Sequence, residues 1–168
     1  MSATPEIMTR AEQPYAAIKA RVSMSELGGL GARLGEVFAW LGARGVAPAG
    51  APFFKYNAID MMRELEVEAG VPVAAAVDGD ADVLSGVLPA GRYATVTHEG
   101  RPDKLVDATG ALLDWAAGQG LKWDMSPGDN GEERWGCRLE FYLTDPSEEP
   151  DMNKWKTQLA FKLAGKTA

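Results

Sequence analysis

The chain has 168 residues, 46% of them hydrophobic and 24% charged, with a formal net charge of −7 at pH 7. That composition is globular, and no apolar run approaches the roughly 20 residues a membrane span needs, so disordered and membrane-spanning classes are excluded. The negative charge opposes phosphate backbones, and no helix-turn-helix pattern or basic stripe offsets it, which argues against direct nucleic-acid binding.

A chain of this length fits one domain, over residues 1–168, and buries about 70% of its unfolded surface, enough for a core and a cavity together. Residues 1–12 show no basic segment followed by an apolar one, so no export signal is visible. Cys137 is the only cysteine. An intramolecular disulfide is therefore impossible, and a reducing cytoplasm is the expected compartment.

In chain order, residues 15–22 read as a strand opening on Tyr15-Ala-Ala-Ile. Leu27, Leu30, Leu34, Val37, Phe38 and Leu41 then form one helical stripe, with Ser23 and Glu26 as a capping box before it. Gly28, Gly29 and Gly31 lie in this stripe and lack the Gly-Lys-Ser/Thr of a phosphate loop, so they read as close-packing positions. Residues 53–57 and 62–73 are the next strands. In the second, Glu64, Glu66 and Glu68 alternate with apolar residues and read as a solvated face.

Residues 74–88 read as a solvated linker. Its Asp78-x-Asp80-x-Asp82 begins like a calcium loop, but Pro89 stands where a bidentate glutamate is needed. The pattern then repeats. Residues 93–98 open on Tyr93-Ala-Thr-Val, and a helix follows with Pro102 in its first turn and Leu105, Leu112, Leu113 and Ala116 on its stripe. Trp40 and Gly45 at the end of the first helix recur as Trp115 and Gly120 at the same spacing. Residues 135–144 and 157–163 supply the last two strands.

Each half, about 10–75 and about 85–164, has one helix and three strands, too little to cover its own apolar face. The expected fold is α+β: two tandem β-α-β-β repeats related by a pseudo-twofold, an antiparallel sheet with helices on one face, and a pocket at the seam.

Alternation places Glu140, Tyr142 and Thr144 on one strand face and Leu139, Phe141 and Leu143 on the other, which is expected against the helices. The repeat matches Phe54 and Tyr56 to Glu140 and Tyr142, so all four would face the seam as a carboxylate in an aromatic box. Such a box suits a cation, and it equally suits a general acid or base. Alternation by itself favours the plainer reading, in which Glu140 faces water.

Trp40 and Trp115 read as packing residues. Trp123, Trp135 and Trp155 are pocket or lid candidates, with core packing an equal alternative. His98 is the only histidine, and it reads as a surface or satisfied core residue; Cys137 reads as small core. Neither has a same-type partner for a metal site, so no metal and no cofactor is expected. With no heptad seam either, a monomer or weak dimer is expected.

The two-copy plan, the Tyr-Ala-x-aliphatic openings, and the run from Arg138-Leu-Glu140-Phe-Tyr142 through Trp155-Lys-Thr157 together resemble the GyrI-like family of small-molecule-binding proteins, over residues 6–163. The family includes gyrase-inhibitory proteins and the effector-binding domains of AraC- and MerR-type multidrug regulators. The resemblance implies a stand-alone form in which Glu140 anchors a small lipophilic ligand, cationic or aromatic. Phe54, Tyr56, Tyr142, Trp123, Trp135 and Trp155 would be the walls. It also implies two alternatives: a hydrolase of strained cyclopropane-containing natural products, with Glu140 and Tyr142 catalytic, and an interaction protein that docks on gyrase.

Overall fold

The computed structural model describes residues 4–60, 62–128 and 131–165. Three residues at either end lie outside that range, as do position 61 and positions 129 and 130. The strands are β1 (Glu6–Arg10), β2 (Gln13–Val22), β3 (Phe53–Ile59), β4 (Leu65–Pro72), β5 (Leu84–Leu88), β6 (Gly91–Glu99), β7 (Met125–Pro127), β8 (Glu133–Trp135), β9 (Arg138–Tyr142) and β10 (Lys156–Lys162). The helices are α1 (Leu27–Leu30), α2 (Ala32–Ala43) and α3 (Leu105–Gly118).

One antiparallel sheet runs β1-β6-β10-β9-β3-β4-β2-β5, with β7 and β8 as a short flap on β3. The order reads as the same pattern from either edge. β2, α2, β3 and β4 correspond to β6, α3, β9 and β10, and the halves join where β3 meets β9. The helix ends match in detail: Gly45 (φ 69°) and Gly120 (φ 71°) take left-handed backbone, and the next N–H, of Val46 or Leu121, reaches back to the carbonyl of Leu41 or Ala116 at 3.0 Å. These are paired Schellman-type stops, which need glycine because a Cβ is strained there.

A single row of Cα partners crosses the sheet: Ile18, Ala69, Phe54, Glu140, Leu159, Val96. Residues so paired share a face, and this face carries the helices. Val37 and Leu41 of α2 pack on Ile18 and Val71, Leu30 of α1 on Phe54 and Val67, and Leu112 of α3 on Val96 and Leu159.

Leu139 and Phe141 do not face the helices as expected. They lie on the opposite face, in a second core with Tyr15, Phe53 and Tyr93. The sheet curls so that this face is buried on itself, and Leu143 past the end of β9 is 46% exposed. Alternation separates two faces but does not say which one a helix covers. Two rings close this inner core by lying over glycines: a Cβ at Gly70 would stand 2.5 Å from Phe53 Cζ, and one at Gly86 2.6 Å from Tyr15 Cζ. Gly70→Ala is expected to destabilise by about 1–3 kcal/mol through overpacking. Urea unfolding checks it, and an unchanged midpoint would mean that Phe53 moves aside freely.

Other expectations are corrected. The first helix is two pieces broken at Gly31, and Phe38 is 37% exposed rather than on the buried stripe. Half of the capping box forms: Ser23 N–H donates to Glu26 Oε1 at 2.9 Å, but no side chain caps α1. The 74–88 linker contains β5 and buried Val83. Its Asp80 accepts from Trp40 Nε1 at 2.8 Å and Arg44 at 3.0 Å, which docks the segment on α2. The indole N–H foremost, then the backbone N–H groups of Val83 and Asp82 and the charge of Arg44, hold the Asp80 carboxyl down at about 2.

Candidate functional site

Glu140 is the one polar residue in the six-residue row across the helix face, directly opposite Phe54 at the pseudo-twofold. Tyr56 on β3 and Tyr142 on β9 flank it by the same symmetry. Both phenols donate to a single carboxylate oxygen, Tyr56 to Oε1 at 2.9 Å and Tyr142 to Oε1 at 2.8 Å. Phe54 packs edge-on against Tyr142 (5.3 Å) and Tyr56 (6.4 Å). Phe54, Tyr56, Glu140 and Tyr142 are thus brought together as the repeat suggested. A β-bulge between Tyr56 and Ala58 sits beside them and re-aims the strand locally.

Burial among these rings raises the Glu140 carboxyl above the ordinary glutamate value, and the hydrogen bonds from Tyr142 and Tyr56 and the charge of Arg138 only partly counter it. Burial, then the neighbouring carboxylate, pushes both phenols well above their usual range, so they stay protonated donors. The carboxyl therefore keeps its proton to higher pH than an exposed glutamate does, and its charged form gains from a nearby cation.

Arg138 shares the Glu140 face two residues earlier and was not singled out from sequence. Its guanidinium lies over Trp135 at 4.7 Å and Phe161 at 4.4 Å. Its position in β9, at i−2 from Glu140, was the available signal. Trp135 is buried and belongs to a ring cluster with Trp123 (5.6 Å) and Phe161 (5.7 Å) against α3. Trp135 thus backs Arg138, whose charge acts on Glu140, and Trp123 packs on Trp135. Trp155 precedes β10 and donates from Nε1 to the Glu149 carbonyl at 2.7 Å, tying down the 145–154 connection. Trp40 and Trp115 pack as half-buried residues on the helix-face cores.

Glu68, expected on a solvated face, is 5% exposed. It lies on the inner face, where it accepts from Tyr15 Oη at 2.5 Å and Asn57 Nδ2 at 2.6 Å, with Lys55 Nζ at 3.5 Å. His98 is buried, with Nε2 3.3 Å from the Arg101 carbonyl oxygen, and Cys137 is buried in the inner core. Among the described residues no cluster of His, Cys, Asp and Glu could hold a metal ion, and no helix is long and apolar enough to cross a membrane.

The model of the GyrI-like small molecule binding domain matches residues 3–164. The chain belongs to the GyrI-like family. Its fold is shared with the EcmrR C-terminal domain, at TM-score 0.75 and 18% identity over 97% of this chain and 98% of that one. Against EcmrR in its DNA complex the TM-score is 0.76, and this GyrI-like chain spans only 58% of that protein. SAV2435 bound to tetraphenylphosphonium matches at TM-score 0.66 and 10% identity over 97% of this chain and 95% of that one. A hydrolase from Listeria innocua matches at TM-score 0.61 and 13% identity over 95% and 91%. No functionally curated protein matches the sequence. Small-molecule binding is the function this family membership carries.

Proposed function

We propose that the β3–β9 seam binds a small lipophilic cation, with Glu140 as its counter-charge and Phe54, Tyr56 and Tyr142 as its aromatic walls. One observation carries this reading: a carboxylate stands in a row of otherwise apolar residues, at the position where the other half of the molecule has Phe54. An acid in such a row is costly to desolvate unless something cationic meets it. Ring faces attract the same charge, by about 0.5–2 kcal/mol each. Arg138 partly compensates Glu140, so the site favours a diffuse charge on a bulky body over a compact ammonium. The SAV2435 structure holds a ligand of that kind, tetraphenylphosphonium.

Titration with tetraphenylphosphonium, followed by tryptophan fluorescence, tests the reading. Saturable binding at least about tenfold tighter than that of uncharged triphenylphosphine oxide is expected. Equal affinity for the two, or no binding of any lipophilic cation in a panel, removes it.

A second reading rests on the two phenols sharing Oε1, an arrangement that leaves Oε2 to take a proton from water and so suits hydrolysis. Incubation with strained cyclopropane-containing electrophiles, read by mass spectrometry, decides it: product means catalysis, and a fluorescence change without product means binding alone.

A further inference from the structure

We propose that the cleft where the two ends of the curled sheet meet is a second ligand site, on the face opposite Glu140, for a small organic carboxylate with an aromatic body. The cleft holds about 360 Å³, within the range of small-molecule sites. Its apolar walls are Met8, Leu88, Pro89 and Tyr93. They are held in place from behind: Tyr93 Oη donates to the Pro89 carbonyl at 2.7 Å, and Gln13 Nε2 bridges the Pro14 and Val73 carbonyls at 2.9 and 2.7 Å.

Arg10 sets the chemistry. It lines the cleft half-buried, with its guanidinium over Phe141 at 4.7 Å and near the Tyr93 ring at 6.0 Å. One N–H reaches Gln158 Oε1 at 3.5 Å, and among the described residues no carboxylate pairs with it. Lys55 and Lys162, which are comparably covered, face Glu68 and Asp124. A guanidinium offers five N–H donors in a planar fork. Rings against its plane fix the orientation and leave the edge for a planar two-oxygen partner, which is the geometry of a carboxylate. With Oε1 turned to Arg10, Gln158 has its amide nitrogen left as a further donor. Glu12 also lines the cleft without pairing to Arg10, so it opposes an incoming anion. The apolar walls select a ring-bearing carboxylate over an inorganic anion.

The test is titration of the full chain with benzoate and indole-3-acetate, with benzamide as the uncharged counterpart, followed by NMR at the Arg10 Nε–H and the Gln158 side-chain amide. Both carboxylates are expected to move both signals saturably at about 1 mM or below, and benzamide to bind at least about tenfold more weakly. Arg10→Gln should remove the response, and Glu12→Gln should tighten binding by about threefold. Saturating tetraphenylphosphonium should not compete. Absence of a saturable shift, equal binding of benzoate and benzamide, a response retained in Arg10→Gln, or full competition by the cation overturns the proposal. If Arg10→Gln does not fold, unchanged affinity in Glu12→Gln overturns it as well.

Discussion

Exchange of Glu140 for Gln is expected to weaken tetraphenylphosphonium binding by about tenfold or more, and to leave a neutral aromatic of similar size nearly unaffected. The substitution preserves shape and keeps an acceptor for Tyr56 and Tyr142, which both donate to Oε1, so only the charge is lost. The pH dependence follows from the raised carboxyl pKa. The neutral form does not attract a cation, so affinity should fall as pH drops through the raised value. Stability runs the other way. The folded state holds this proton more tightly than the unfolded chain, so Glu140 favours folding below its unfolded pKa, and that contribution is lost as pH rises through the folded value. Near neutral pH, Glu140→Gln should therefore be at least as stable as the parent. If the seam hydrolyses its ligand, the same change abolishes turnover and spares binding. Unchanged cation affinity together with unchanged turnover would take Glu140 out of the site.

The largest stability loss is expected at Glu68→Ala, about 3 kcal/mol or more. Lys55 and Glu68 have side chains only 12% and 7% exposed. Truncation would leave the Lys55 ammonium without its counter-charge, holding only the Asn57 amide oxygen, and would strand the Tyr15 hydroxyl and the Asn57 amide N–H. Urea denaturation measures it as a lower midpoint with an unchanged slope. The double change Lys55→Met with Glu68→Leu should recover only the part of the loss that comes from the uncompensated charge, because the Tyr15 hydroxyl and the Asn57 amide stay unpaired. A loss below about 1 kcal/mol in Glu68→Ala would mean that water reaches this network and supports it.

The duplication was legible because both halves obey the same local demands. Tyr15 and Tyr93 open matched buried strands, and Gly45 and Gly120 terminate matched helices. The pairing of Phe54 with Glu140 followed from that repeat, and it places the candidate site. What alternation could not supply was the curl. A strand covered on both faces ordinarily reads as a near-continuous apolar run, but β4 and β9 carry Glu68, Arg138 and Glu140 at covered positions and so keep the alternation of a half-solvated strand. Leu139 and Phe141 were thus assigned to the wrong core, and Glu68 to solvent. Arg138 escaped notice because a charged residue in a strand looks solvated until the rings beneath it, Trp135 and Phe161, arrive from other strands. β1 and β5 are short edge strands with exposed residues such as Ile7 and Val87, and their pairing partners lie in the distant half.

That last pairing shapes how the molecule assembles. β1 precedes the first half but pairs with β6 of the second, Glu6 opposite Thr95, while β5 precedes the second half and pairs with β2 of the first. A nascent chain that has completed β4 therefore has neither a partner for β1 nor a cover for β2. Closing such long loops costs entropy before any contact repays it, so folding is expected late and in one cooperative step. The arrangement is that of two protomers that have traded their first strands across a dyad, written here as one polypeptide.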